Sequence, residues 1–287
     1  MRGKAPVAAR SRNEPRFGAS VGMPGVAEDL KAGRQEEAHM AHPDHRTLRA
    51  PAQLDMAVDT GLRRFMLGVY NKVALGLLLS AALAYLTSMV PPVRDVMFRL
   101  APDGRFAGYT LLGTVVAFAP LVVLLGSMFA MRRPTARGAG LLFFTISALI
   151  GASLGVLGLV YTGASLASTF LITAAAFGAL SLFGYTTKKD LSGFGSFLLI
   201  GLVGLVLASL VRMFWNPPGF SFLFSVIGVL IFAGLIAYDT QRLKLTYHDL
   251  GGDTPALGAA SSYGALSLYL DFINLFQFLL NLFGQRR

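Results

Sequence analysis

Seven stretches of the sequence are long and apolar enough to cross a lipid bilayer as helices. They lie at about 67–90, 107–130, 138–160, 163–186, 193–214, 221–243 and 264–283. A helix needs roughly 20 mainly apolar residues to cross the hydrocarbon core of a membrane. Only 14% of the residues are charged, whereas soluble globular domains contain about 25%. The sequence therefore predicts an all-α membrane protein with seven transmembrane helices.

The chain before the first span has a different composition. Residues 1–52 are rich in Arg, Glu, Ala, Gly and Pro and show no apolar period. This composition predicts a disordered N-terminal tail, followed by a seven-span transmembrane domain at residues 53–287. A start at Met40 instead of Met1 would remove most of the tail, and the sequence leaves both starts open.

The basic residues near the ends of the spans predict the orientation of the chain. With the N-terminus inside, ten Lys and Arg residues flank the spans on the inner side and six on the outer side. The outer six are Arg94, Arg99, Arg105, Arg212, Arg286 and Arg287. Because Lys and Arg are enriched in short cytoplasmic loops, we expect the N-terminus inside and the C-terminus outside.

Several kinds of site are excluded by composition. The chain has no Cys, and its four His residues are His39, His42, His45 and His248, none of them in an apolar segment. Cys-ligated zinc, disulfides and His-held haem between the spans are therefore excluded, and no cofactor is predicted. The net charge of +10 comes from basic residues in short loops, where membrane topology places them. We therefore predict the lipid bilayer, and not nucleic acid, as the partner of this charge.

Two aspartates lie inside predicted spans. After residue 64 the chain has seven acidic residues, all Asp, and five of them fall in loops or at helix ends. Asp239 lies near the end of span six and Asp271 lies inside span seven. An acidic residue at the depth of the bilayer costs roughly 2.5–3.5 kcal/mol on insertion scales, so it indicates a function.

The predicted spans place these two aspartates at matching depths. Asp239 lies about six residues before the end of span six near Leu245, and Asp271 lies seven residues after Gly264. Both are then roughly 9–10 Å from the inner ends of their helices, so we expect the carboxyl groups to face each other. An ion pair of Asp239 with Arg242, three residues later, is the simpler alternative.

A close carboxyl pair has a recognisable chemistry. Two carboxylates in a low-dielectric site cannot both ionise cheaply, so they are expected to share a proton. Such a pair can sense pH, relay protons, or hold a hard cation such as Ca²⁺ through its oxygen atoms. From the residues alone, Asp239 and Asp271 are thus candidates for a pH sensor, a proton relay or a cation site, and all three roles stay open.

Polar residues continue from the aspartates along the last two spans. They are Ser225 on span six, and Asn274, Gln277 and Asn281 on the same side of span seven as Asp271. A polar stripe in a bilayer must turn toward protein or a water-filled cavity. These residues are therefore predicted to line a pore, with span seven inside the bundle.

Three segments together resemble the Bax inhibitor family, over about residues 60–284. They are residues 161–211, GVLIFAGLIAYDTQRLK at 228–244 and LSLYLDFINLFQFLLNLFG at 266–284. The resemblance implies six helices around a central seventh, and a pH-dependent calcium leak in which Asp239 and Asp271 are the sensor and gate. It also implies a basic residue near the gate, for which Arg132 or Arg133 is the counterpart in this chain.

The resemblance leaves a second function open. Bacterial members of the family are linked to modulation of a membrane-anchored ATP-dependent protease, so a regulatory interaction protein is the alternative to a leak. Either function implies a bacterial cytoplasmic (inner) membrane location, and the leak implies Ca²⁺ or H⁺ as the ion. In the leak hypothesis, loss of the shared proton makes Asp239 and Asp271 repel, which shifts span six or span two away from span seven.

An enzymatic function is not predicted. Two aspartates on adjacent spans are also found in intramembrane aspartyl proteases. Those enzymes, however, have Gly-x-Gly before the second aspartate, whereas Leu268-Tyr269-Leu270 precedes Asp271 here, and no Pro-Ala-Leu follows. A retinal protein needs a lysine in the last span, and span seven has none.

Overall fold

The computed structural model describes residues 51–130, 135–215, 217 and 219–287, and this part contains eight helices and two short strands. The helices are α1 (Pro51–Met89), α2 (Pro91–Met97), α3 (Leu111–Ala130), α4 (Ala136–Val160), α5 (Gly163–Thr186), α6 (Ser192–Phe214), α7 (Phe220–Asp249) and α8 (Thr254–Phe283). The strands are β1 (Phe98–Leu100) and β2 (Phe106–Tyr109). Residues 1–50, most of the predicted tail, lie outside the described residues.

Seven of the described helices are long and apolar enough to cross a membrane. They are α1 from Thr60 onward and α3 to α8, in the order in which the sequence predicts them. The shortest connection between two spans also lies where the sequence predicts it, because α4 ends at Val160 and α5 begins at Gly163. Thr162 caps α5 by accepting a hydrogen bond from the Ser165 N–H. The predicted all-α, seven-span fold class is therefore confirmed.

The second span begins later than predicted because a β-hairpin occupies the chain before it. Strands β1 and β2 pair antiparallel, with Phe98 opposite Tyr109. The rings of Phe98, Phe106 and Tyr109 contact one another with centroids 5.3–6.0 Å apart. Residues 107–109 therefore belong to a strand, and the helix begins at Leu111.

The last two helices are longer than their apolar runs. Helix α7 continues to Asp249 and α8 begins at Thr254, so only residues 250–253 connect them. Asp253 caps α8 by accepting a hydrogen bond from the Ala256 N–H. The first turns of α8 are rich in small residues, and among them Ser261 and Ser262 are buried. A helix segment that packs on protein does not need the hydropathy of one that faces lipid.

Helix α8 is the most buried of the candidate spans in the described part of the chain. In the most apolar 18-residue segment of α8, 56% of the residues are buried, whereas in the corresponding segment of α3 only 6% are buried. It contacts α4, α5 and α7 along its length and reaches α1 through a contact between Tyr269 and Ser80. These contacts fit the predicted interior position of the last span, whereas an arrangement of all six other spans around it stays a prediction.

Glycines bring α1 and α4 into close contact. A Cβ atom added at Gly151, Gly155 or Gly158 of α4 would collide with Ser80, Thr87 or Ser88 of α1. Small residues at helix interfaces allow this close approach of backbones in membranes.

Helix α7 begins after Gly219, which has a left-handed φ of 81° that glycine adopts without strain.

Candidate functional site

The two predicted aspartates lie on neighbouring antiparallel helices. Asp239 is on α7 and Asp271 is on α8, and their carboxyl groups are close enough to interact electrostatically. Leu243 packs against Gly264, and Ser267 contacts the Asp239 carboxyl group. Asp271 therefore lies four residues, about 6 Å, further along α8 than the residue facing Asp239.

The equal depth that the sequence predicted for the pair is wrong. Asp239 lies ten residues before the end of α7 at Asp249, whereas Asp271 lies seventeen residues after the start of α8 at Thr254. The predicted depths were counted from the ends of the apolar runs. Because both helices extend beyond those ends, the aspartates lie further from the helix ends than predicted. The two carboxyl groups nevertheless interact, because they are offset by about one helical turn and not by more.

The environments of the two carboxyl groups differ. Asp271 is buried, with a relative exposure of 6%, and no described residue donates a hydrogen bond to its Oδ2 atom. Asp239 is half-buried and lines a cavity of about 140 Å³. A buried carboxyl oxygen without a donor requires a proton, a water molecule or a cation. Asp271 is thus the inner member of the pair and Asp239 the accessible one.

The cavity beside Asp239 has a polar rim. Arg242, Thr246, Tyr263 and Ser267 line it together with Asp239. Arg242 acts on Asp239 electrostatically. The two side chains are nevertheless not among the ion pairs of the described residues, which are those with a nitrogen–oxygen distance within 4.0 Å. These pairs are Arg94–Asp95 and Arg105–Asp103. Asp239 and Arg242 therefore interact at longer range, and the direct ion pair of the simpler alternative is not formed.

The other predicted site residues are more dispersed. Ser225 is buried on α7, and Gln277 is half-buried on α8. The Asn274 side chain donates a hydrogen bond of 2.8 Å to the Leu270 carbonyl of its own helix. Asn281 is exposed and accepts a hydrogen bond of 3.0 Å from the Tyr161 hydroxyl. None of these four residues lines the cavity beside Asp239, so their role in lining a pore stays a prediction.

The predicted basic partner of the pair cannot be compared with the structure. Arg132 and Arg133 both lie outside the described residues. Within the described ranges, no group of three or more His, Asp or Glu residues forms that could hold a metal ion. Because Ca²⁺ takes about six to eight oxygen ligands, an ion held by Asp239 and Asp271 would need hydroxyl, carbonyl or water oxygens as well.

Sequence reasoning missed Gln241, which lies two residues after Asp239. Its side-chain oxygen accepts a hydrogen bond of 2.8 Å from the Leu191 N–H, and its side-chain nitrogen donates one of 2.8 Å to the Lys189 carbonyl. The buried amide thereby ties α7 to the connection between α5 and α6. A glutamine at the end of an apolar span was the available signal, because a buried amide must find partners.

A charged residue on the first span also contacts α8. The Lys72 ammonium group donates a hydrogen bond of 2.8 Å to the Ser261 hydroxyl. A charge within a span usually faces protein or a polar cavity. Lys72 and Ser261 therefore mark a polar contact between α1 and the first turns of α8, on the same side of the bundle as Asp239.

Seven apolar helices with a carboxyl pair between the last two define a polytopic, helical integral membrane protein. Comparison with known protein families identifies the family of this membrane protein. The profile of the family described as "Inhibitor of apoptosis-promoting Bax1" matches residues 62–287. The chain therefore belongs to the Bax inhibitor family, as the resemblance of its motifs predicts.

Bacterial relatives match most of the chain. An uncharacterised protein of Caulobacter vibrioides is 63% identical over 233 residues, which cover 81% of this chain and 93% of the relative. The inner membrane protein YbhL of Escherichia coli K12 is 44% identical over 228 residues, which cover 79% of this chain and 94% of the relative. An uncharacterised protein of Rickettsia prowazekii is also 44% identical, over 229 residues that cover 80% of this chain and 92% of the relative.

Proposed function

We propose that this protein is a pH-sensitive cation leak, with Ca²⁺ as the transported ion and the Asp239–Asp271 pair as its gate. The observation that carries the proposal is the unequal burial of the two aspartates. Asp271 has a buried oxygen atom without a donor in the described part of the chain, and Asp239 lies beside it on a cavity. A site of this kind changes its interactions when one proton is gained or lost.

The shared proton acts on the contact between α7 and α8. With one proton on the pair, a single negative charge lies between the helices. Loss of that proton leaves two negative charges, which repel by about 3 kcal/mol at a separation of about 6 Å and an effective dielectric constant of about 20. That energy changes a two-state equilibrium about a hundredfold. Deprotonation therefore favours a state in which α7 has moved away from α8.

The cavity supplies an entry route to the pair. An ion that enters past Arg242 and Ser267 meets the half-buried Asp239 before the buried Asp271. The carboxylates exposed by deprotonation provide hard oxygen ligands of the kind that Ca²⁺ prefers. The same proton loss thus opens the contact between the helices and creates the binding charge for the ion.

The proposal includes a location and an orientation. The relative YbhL is named as an inner membrane protein, which supports a bacterial cytoplasmic (inner) membrane for this chain. The excess of basic residues on one side supports an N-terminus inside. In that orientation the connection between α7 and α8, and with it the cavity at Asp239, faces the cytoplasm.

Calcium flux in proteoliposomes tests the proposal. Liposomes that contain a calcium-sensitive dye are prepared with the wild-type protein, Asp239→Asn, Asp271→Asn, or Asp190→Asn as a control from an exposed connection. We expect a flux that increases from mildly acidic to mildly alkaline pH in the wild type and the control. Both substitutions in the pair should abolish this pH dependence.

Two results would contradict the leak. One is an unchanged pH dependence in both Asp239→Asn and Asp271→Asn. The other is an absence of flux at every pH from protein that is folded and inserted. The second result would favour the regulatory interaction protein, which is then tested by co-purification with a membrane-anchored ATP-dependent protease.

A further inference from the structure

A pocket rich in arginine lies at the end of the bundle opposite the connection between α7 and α8. It has a volume of about 520 Å³, and Arg94, Arg105, Arg286 and Arg287 line it with one acidic side chain, Asp103. Helix α1 ends nearby at Met89, α4 ends at Val160 and α8 ends at Phe283. Because three spans end there, we expect the pocket at the level of the lipid headgroups.

The C-terminal arginines are held in place by the backbone. Residue Arg286 pairs antiparallel with Tyr161, and the Arg287 N–H donates a hydrogen bond of 2.9 Å to the Val160 carbonyl. The Arg286 guanidinium group lies over the Tyr161 ring, 5.9 Å from its centroid. Gln285 adds a hydrogen bond from its N–H to the Ser165 hydroxyl. A positively charged group that is already fixed loses less entropy when it binds a ligand.

The charges in the pocket are only partly neutralised. Arg94 pairs with Asp95 through one guanidinium nitrogen at 2.9 Å, and Arg105 lies 3.7 Å from Asp103. Within the described residues, Arg286 and Arg287 form no ion pair with an Asp side chain. A guanidinium group has five N–H donors and binds phosphate oxygens in a bidentate manner. The pocket therefore presents several unused donors to an anion.

An apolar crevice continues from this pocket into the bundle. It has a volume of about 630 Å³, and Ser88 and Met89 line both the crevice and the arginine pocket. Side chains of α1, α4, α5 and α8 form its walls, among them Leu77, Ala81, Leu157, Leu166 and Phe276. Phe170 and Leu171 at its edge are exposed on the surface that faces lipid. The two spaces together match an amphiphile with an anionic head and an apolar chain.

We propose that this combined site binds an anionic phospholipid, with its phosphate among Arg94, Arg105 and Arg286 and one acyl chain in the crevice between α1 and α5. Arginine side chains bind phosphate oxygens through charge-assisted and often bidentate hydrogen bonds. The acyl chain would fill a space that the protein leaves open between four helices. This inference is independent of the aspartate pair, which lies toward the other end of the bundle.

Lipid titration of the purified full chain, followed by native mass spectrometry, tests the headgroup contact. The ligands are phosphatidylglycerol, phosphatidylcholine and inorganic phosphate, each added separately. The variants are Arg286→Gln alone and Arg94→Gln with Arg286→Gln, and Arg99→Gln is a matched control on the same membrane face that does not line the pocket. We expect the double variant to bind phosphatidylglycerol about tenfold more weakly or worse, because it loses charge-assisted hydrogen bonds.

A second pair of variants tests the acyl-chain contact. Both Ala81 and its neighbour Ala82 are exposed, but Ala81 lines the crevice and Ala82 does not. Ala81→Phe should therefore weaken phosphatidylglycerol binding, and Ala82→Phe should not. Thermal unfolding of each variant in phosphatidylcholine nanodiscs verifies that the fold is intact.

Three outcomes would overturn the proposal. Phosphatidylcholine that binds as tightly as phosphatidylglycerol would show that the site does not select an anionic lipid. Inorganic phosphate that binds as tightly as phosphatidylglycerol would make the pocket a site for a free anion. Equal affinities for the wild type, the arginine variants and Ala81→Phe would place the lipid elsewhere on the protein.

Discussion

The hydroxyl groups of Tyr269 and Ser80 lie 2.7 Å apart in the buried contact between the last and first spans. Ser80 also lies 2.8 Å from the Ser147 carbonyl of α4, so this one hydroxyl joins three helices. Either hydroxyl group can donate in this pair, because the Tyr269 hydroxyl also lies 3.5 Å from the Ser147 carbonyl. The contact joins α8 to α1 two residues before Asp271.

Tyr269→Phe should destabilise the protein by about 1 kcal/mol, because it removes one net hydrogen bond and leaves the ring in place. The measurement is thermal unfolding in nanodiscs, with Tyr85→Phe as the control because Tyr85 is exposed. Ser80→Ala combined with Tyr269→Phe should destabilise less than the sum of the two single changes. Strict additivity would show that the two hydroxyl groups do not interact.

Gln241→Leu should release the connection between α5 and α6 from α7. The substitution removes both hydrogen bonds to Leu191 and Lys189 and should reduce stability by about 1–3 kcal/mol. Because the connection contains Lys188 and Lys189, trypsin should cut there faster in the variant. Gln277→Leu is the control, since Gln277 is a half-buried glutamine in a span. Equal cleavage rates in the two variants would contradict the role of Gln241.

Gly151→Ala should be far more destabilising than Gly204→Ala. A Cβ atom at Gly151 meets the Ser80 backbone, whereas one at Gly204 meets nothing within 4 Å. The first change should therefore cost about 1–3 kcal/mol through overpacking, and the second should be neutral or stabilise by up to about 1 kcal/mol through helix propensity. Thermal unfolding of both variants measures the difference. Similar melting temperatures would show that α1 and α4 can separate without loss of stability.

Asp190 should contribute a small, pH-dependent stabilisation at the start of α6. Hydrogen bonds from the Ser192 side chain and N–H hold the pKa of its carboxyl group below the ordinary value. A carboxyl group with a lowered folded-state pKa stabilises the protein above its unfolded-state pKa, and this contribution is lost as the pH falls through the folded-state pKa.

The measurement for Asp190 is a series of unfolding curves at decreasing pH, with Asp190→Asn beside the wild type. The two proteins should differ at neutral pH and converge in acid. Asp249→Asn is a control, because Asp249 is also exposed but lies at the end of α7. A difference between wild type and Asp190→Asn that persists below the folded-state pKa would exclude the carboxylate as its cause.

The number and order of the spans, and most of their boundaries, could be predicted because each span is encoded locally. A run of about 20 apolar residues has no other stable state in a bilayer, and Gly163 and Gly219 mark breaks that are visible in the sequence. The positions of Asp239 and Asp271 inside spans could be predicted for the same local reason, and their functional role stays a prediction.

The extents of α7 and α8 could not be predicted from hydropathy. Helix α8 begins before its apolar run and includes Ser261 and Ser262, which are buried. The burial of these residues depends on contacts with other helices, and hydropathy within one segment does not reveal such contacts. The predicted equal depth of the aspartates failed for the same reason. A helix that packs on protein obeys different composition rules from one that faces lipid.

By itself, the sequence determined that this chain is a seven-span helical membrane protein with two acidic residues inside its last two spans. Only the tertiary structure decided that Ser267 faces Asp239, that Gln241 reaches Lys189 and that Tyr269 meets Ser80. These contacts depend on the register and rotation of one helix against another. The physical reason is that hydrophobic burial is proportional to area and has no direction, whereas hydrogen bonds and small-residue contacts between distant segments select one packing among many.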